Sequence, residues 1–236
     1  MIKFMKAGYK KSQRLIDVIK FGTLEIGQHE SKTNSGRLLA CDETVRKVYN
    51  MAKKEGMAGR SVYLSISDPS VILRAVKIPY MSAKSLKRHL ELAITQYLPI
   101  NTDEYIYDYK VTDIFEKDGN RMMSLLLTSI SKEVISGYVL LFKETKMKLK
   151  AIDLYPNSVS RLFSGVKDAD IAVIDINNKV LELMIIEKGK LLVYSNTAPV
   201  FQYRPGEGGA IPPAIFEQAA DFIKTYASFF SSRNFG

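Results

Sequence analysis

Hydrophobic residues along this chain switch between a two-residue and a 3.6-residue period, and each switch marks an expected element. Residues 2–6 and 15–21 alternate, with Ile2 and Phe4 answering Ile16 and Val18, which predicts two strands around the polar turn GYKKSQ. SKTNSG, residues 31–36, reads as a loop. Asp42 then caps a helix with Val45, Val48, Tyr49 and Ala52 on its apolar stripe, Arg46, Lys47, Lys53 and Lys54 outside it, and Gly56 or Gly59 at its end. Alternation returns in SVYLSIS, which turns Val62, Leu64 and Ile66 inward, and in VILRAVKI, a strand that Pro79 stops.

Ser82 caps a second helix carrying Leu86, Leu90, Ala93, Ile94 and Tyr97 on one face and closed by Pro99. YIYDYKVTDIF and RMMSLLLTSI flank Asp118-Gly119, a strong hairpin signal. Ser131 opens a third helix with Val134, Ile135, Tyr138, Leu141, Phe142 and Thr145 aligned. Residues 149–154 return as a strand, and PNSVSRLF is a short helix starting near Pro156. Past the charged boundary KDAD, the run IAVIDINNKVLELMII predicts a hairpin turning at Asn177-Asn178, and KLLVYSN a third strand. Residues 197–213 are a Pro- and Gly-rich connection, and a final helix aligns Phe216, Ala220, Ile223, Ala227 and Phe230. The layout is mixed α/β in at least two lobes.

Composition narrows the class. Hydrophobic residues make up 46% of the 236, enough to build a core. No window approaches the roughly 18 consecutive apolar residues of a membrane span, and the opening MIKFMKAGYKKSQR interrupts its only apolar run with charge, so no signal peptide is expected. The single cysteine, Cys41, cannot close an internal disulfide, and with only His29 and His89 beside it no zinc spacing arises. A reducing cytoplasm is the expected setting, without a metal. The formal charge of +9 is uneven, since residues 1–60 carry 13 Lys and Arg against 6 Asp and Glu. Such a bias marks either a solvated surface or a face turned to phosphates, of anionic lipid or of nucleic acid.

Candidate chemistry is sparse. A Ser–His–Asp or Cys–His site could use only His29 or His89, and His89 sits one residue before the apolar stripe of its helix, as a boundary residue does. RPGEGGAIPP lacks the Gly-Lys-Ser/Thr ending of a phosphate loop, and no spacing singles out a carboxylate pair for hydrolysis, so no catalytic residue is assigned. Tyr105, Tyr107 and Tyr109 alternate and share one sheet face, which suits either base stacking or core packing. Asp103, Glu104 and Asp108 would repel a phosphate backbone, so packing is expected. Asp175 ends a strand just before a turn, where several nucleotide-binding folds place a phosphate contact; a plain hairpin turn is the other reading.

The run VYLSISDPSVILRAVKIPYMSAKSLKRHLELAITQYLPINTDEYIYDYKV resembles the PilM family of type IV pilus assembly proteins, actin-like and related to FtsA. SKEVISGYVLLFKETKMKLKAIDLYPNSVSRLF and ADIAVIDINNKVLELMIIEKGKLLVY continue the likeness, in the family's order, over most of residues 2–236. The resemblance implies an α/β actin-like fold of ribonuclease H-like lobes. Residues 1–66 plus 149–167 would form the first lobe, 67–148 an inserted strand–helix–hairpin–helix subdomain, and 168–236 part of a second lobe. It also implies truncation at both ends, because MIKFMK matches the strand after the family's first Asp-x-Gly turn and Gly236 precedes its late Gly-Gly segment.

By the same resemblance, ATP would be held at a second Asp-x-Gly turn, where Asp175 matches and Asn177 replaces the glycine. No cofactor is required on this view, and Mg-ATP belongs to a complete form. The implied activity is recognition of the cytoplasmic N-terminal segment of PilN, in a groove placed by topology at Ile78, Pro79, Met81, Leu154, Tyr155 and Pro156. That implies a cytoplasmic scaffold, peripheral to the inner membrane through a PilN/PilO complex, indirectly linked to the pilus ATPase and capable of self-association. An ATP-dependent switch is the alternative and a nucleic-acid-binding module the remote one.

Overall fold

The computed structural model describes residues 2–10, 15–24, 42–176, 181–197 and 213–233. The expected loop at 31–36, the Asn177-Asn178 turn, most of the 197–213 connection, His29 and Cys41 lie outside the described residues. Two compact units emerge, residues 1–64 with 131–153 and residues 65–130 with 154–236. The third helix groups with the first unit.

In the first unit β1 (Ile2–Lys10) pairs antiparallel with β2 (Leu15–Leu24), with a register irregularity between Lys6 and Ala7. Helix α1 (Asp42–Lys54) buries Thr44, Val48 and Ala52 and places Asp42 and Glu43 in its first turn, Lys53 and Lys54 in its last, as the helix dipole favours. β3 (Ser61–Ile66) half-buries Val62 and Leu64 and buries Ile66, the alternation its pattern predicts, and pairs with β7 (Lys148–Leu154). Helix α3 (Lys132–Glu144) starts at Ser131, whose side chain accepts from the Glu133 N–H. Leu141, Phe142 and Met147 close over Val48 and Ala52 to form the core.

The second unit begins with a hairpin sheet in the order β4-β6-β5, where β4 is Ile72–Pro79, β5 Tyr105–Lys117 and β6 Asn120–Ser131. The turn at Asp118 and Gly119 holds φ of 52° and 74°, the left-handed pair that Asp-Gly supplies at low cost. Helix α2 (Ala83–Tyr97) is capped by Ser82 and lays Leu86, Leu90 and Ile94 on Ile78, Met123, Leu125 and Leu127. Burying each such side chain is worth about 1.5–3 kcal/mol. Tyr105, Tyr107 and Tyr109 are half-buried and pack against this same core. His89 Nε2 meets Tyr97 Oη at 2.8 Å, a boundary residue as its position predicts. β5 pairs only with β6 among the described strands, and on it the N–H groups of Tyr109 and Ile114 bond to the side chains of Asp108 and Asp113.

A second sheet runs β10-β9-β8, with β8 Asp170–Ile176, β9 Leu181–Glu187 and β10 Lys190–Thr197. Helix α4 (Tyr155–Leu162) lies against β9 and β10. Helix α5 (Pro213–Arg233) packs on β9, and its Tyr226 donates to Ser195 Oγ at 2.7 Å. The expected stripe on α5 is displaced by one residue: Ile215 and Ala219 are buried, while Phe216 and Ile223 are 55% and 38% exposed. Both sets have helical spacing, and the sheet beneath selects the one aligned with Tyr226. Strand β10 also packs on β4, and Lys190 reaches Asp113 at 2.8 Å.

Candidate functional site

Strand register assembles a polar row inside the second unit. Asp175 of β8 lies opposite Glu182 of β9, which lies opposite Asn196 of β10, so all three project from one sheet face. Residues directly opposite in an antiparallel pair hold their Cβ atoms about 5 Å apart. Tyr155, the first residue of α4, donates its hydroxyl to Asp175 Oδ2 at 2.5 Å. Tyr194 donates to Glu182 Oε1 at 2.7 Å and accepts from Asn196 Nδ2 at 3.2 Å. Ser65 near the end of β3 and Ser158 of α4 share a hydrogen bond of 3.0 Å.

Glu182 is fully buried, and its Oε2 makes no hydrogen bond among the described residues. Burial pushes its carboxyl above the usual glutamate range, and the charge of Asp175 opposite pushes it further; Tyr194 and the nearby Ser67 hold it back. The two tyrosines are raised as well, Tyr155 by burial and then by Asp175, Tyr194 by burial and then by Glu182. Both phenols therefore stay protonated as donors.

Asp175 was the one acid that sequence reasoning placed near a phosphate; Asn177 lies outside the described residues. The described groups around Asp175 are phenols and a second acid. Its Oδ2 is taken by Tyr155, a second buried acid stands opposite, and no Lys or Arg bonds to Asp175, Glu182, Tyr155 or Tyr194 among the described residues. No cluster of three acids, histidines or cysteines suited to a metal ion occurs among the described residues either. Sequence reasoning missed Glu182, although an acid inside the apolar run VLELMII is a signal that the hairpin register turns into a position opposite Asp175.

The six residues expected to form a peptide groove fall at two places. Ile78 is buried under α2, Pro79 is exposed, and Met81 packs at the edge of the same core. Between them Tyr80 is 40% exposed, with the Arg121 guanidinium 4.0 Å above its ring. Leu154 and Pro156 are buried at the start of α4, and Tyr155 turns inward to Asp175. A shallow cavity of about 520 Å³ lies elsewhere, between α2 and β5, lined by Leu90, Tyr107 and Tyr109 with Lys87, Glu91 and Asp108.

Among solved structures, a PilM–PilN type IV pilus biogenesis complex superposes with a TM-score of 0.68 at 14% identity, over 83% of this chain. The match spans 58% of that protein's length. A Bacteroides thetaiotaomicron protein with an actin-like ATPase fold and unknown function aligns at a TM-score of 0.45 and 12% identity, over 83% of this chain and 66% of its own. The cytoplasmic domain of EpsL, an inner membrane component of the type II secretion system of Vibrio cholerae, aligns at 0.43 and 11%, over 87% and 73%. A search of curated proteins found no match. The fold is actin-like, as the sequence resemblance implied. No helix among the described residues is long and apolar enough to cross a membrane. The family described as type IV pilus assembly protein PilM matches residues 2–199, and the chain belongs to that family.

Proposed function

We propose that this chain is a cytoplasmic actin-like scaffold of a type IV pilus assembly machine, brought to the inner membrane by holding the N-terminal segment of a PilN-type protein. The observation that carries this reading is the superposition on a PilM–PilN complex over 83% of the chain. Exposed Pro79 and half-buried Met81 supply the contact surface on this reading, while Leu154, Tyr155 and Pro156 brace the entry to α4 from within. Titration of the intact chain with a synthetic PilN N-terminal peptide should give saturable binding that a scrambled peptide lacks and that Met81→Glu weakens. No saturable binding would overturn it.

No nucleotide is required on this reading, and catalysis is not part of it. The Asp175 carboxylate engaged by Tyr155, with buried Glu182 opposite, supports that view. Calorimetry with Mg-ATP should return a flat trace for this chain, and a saturating isotherm would restore the nucleotide-switch reading.

A further inference from the structure

Helices α1 and α3 end at the same side of the first unit. Their cores meet through Val48 and Ala52 against Leu141, Phe142 and Met147. The segments that follow are tied by backbone bonds, Gly59 N–H to Lys146 O at 3.2 Å and Lys148 N–H to Arg60 O at 2.9 Å. This convergence gathers Lys53, Lys54, Arg60, Lys143, Lys146 and Lys148, all exposed. None of the six forms an ion pair among the described residues. The acids in these two segments are Glu55 and Glu144 alone, so the patch keeps a strong positive excess.

Helix dipoles explain part of it, since Lys53, Lys54 and Lys143 occupy last turns. They do not explain Arg60, Lys146 and Lys148, which lie beyond the helix ends. Lys146 even holds a φ of 58°, a left-handed backbone that glycine adopts at less cost. Five of the six cations are lysines, compact point charges rather than the forked donors that grip single phosphates. Neither KKEGMAGR nor KETKMK contains an aromatic side chain on which a base could stack. Diffuse attraction to many anionic headgroups at once suits this surface better than recognition of one nucleotide chain.

We propose that the end of the first unit formed by Lys53, Lys54, Arg60, Lys143, Lys146 and Lys148 is a docking face for an anionic lipid bilayer. The face acts without the PilN-type peptide, so it stands or falls separately from the peptide reading. Each cation near an anionic membrane raises partitioning about fivefold. A variant carrying Lys53→Gln, Lys54→Gln, Lys146→Gln and Lys148→Gln therefore loses on the order of 500-fold, and these side chains are exposed enough to leave the fold intact.

The experiment is co-sedimentation of the intact chain with vesicles of 30% phosphatidylglycerol in phosphatidylethanolamine, in parallel with neutral phosphatidylcholine vesicles. Circular dichroism checks that each variant is folded. The expected result is binding to the anionic vesicles alone, reversed by high salt and abolished in the four-lysine variant. A control with Lys84→Gln, Arg88→Gln, Lys110→Gln and Lys117→Gln on the second unit should retain most of the binding. Equal loss in both variants, or no binding to anionic vesicles, overturns the proposal. So does tighter capture of duplex DNA than of vesicles at equal salt with the same loss in the four-lysine variant.

Discussion

The hydrogen bond from Tyr155 to Asp175 ties the start of α4 to the end of β8, and a double-mutant cycle measures it. Tyr155→Phe deletes the donor and leaves the ring, while Asp175→Asn keeps the shape and removes the charge. At 2.5 Å, with the carboxylate as acceptor and both groups half-buried, the bond belongs to the charge-assisted class, worth about 1.5–3 kcal/mol. Partial exposure of the pair brings the expected coupling energy to about 1–2 kcal/mol. The chain has no tryptophan, so urea unfolding is followed by far-ultraviolet circular dichroism for the parent, both single variants and the double variant. The Tyr155 pKa is raised in the fold, so the coupling is fully present below the unfolded phenol value near pH 10 and is lost only as pH rises beyond it. Coupling below about 0.3 kcal/mol at neutral pH, the limit within which independent sites add, would refute the reasoning.

Three further substitutions have expected outcomes. Because the folded pKa of Glu182 is raised, the protonated carboxyl favours the fold in acid, and this contribution is lost as pH climbs from the ordinary glutamate value through the raised one. Glu182→Gln should remove that slope and be the more stable protein at pH 8, measured by thermal melts across pH; an unchanged slope argues against it. Gly189→Ala should cost about 1–3 kcal/mol, because φ is 76° and the new Cβ would sit 2.7 Å from the Ser164 carbonyl oxygen. A urea midpoint equal to the parent's would contradict that placement. Leu127→Ala, at a fully buried site under α2, should lose about 2–5 kcal/mol, and a loss below 1 kcal/mol would mean that the core is not packed as described.

Local signals were readable wherever one residue type decides the backbone. Ser82 and Ser131 mark helix starts, Asp118-Gly119 marks a turn, and alternation in SVYLSIS marks a half-buried strand. The face of α5 was not readable, because Ile215/Ala219 and Phe216/Ala220 satisfy the helical period equally and only the sheet chooses between them. The polar row was half readable. Asp175 stands out before its turn, but what surrounds it depends on pairings far along the chain. Tyr155 arrives from 20 residues upstream, and Glu182 turns inward only once the hairpin register is fixed. Tyr105, Tyr107 and Tyr109 were legible as a row, and α2 belongs to the core against which they pack.

Among the described strands β5 ends its sheet, and the aspartates that occupy the Tyr109 and Ile114 N–H groups have a bearing on the protein in the crowd of its own copies. A thirteen-residue edge with free donors invites another chain to extend the sheet, and each chain added would offer the next edge in turn. Asp108 interrupts that ladder at the Tyr109 N–H and adds negative charge where a newcomer would settle, while Asp113, which holds the Ile114 N–H, is already paired with Lys190. Where copies of the chain crowd together, a self-occupied donor disfavours the edge pairing through which they would stitch into fibres.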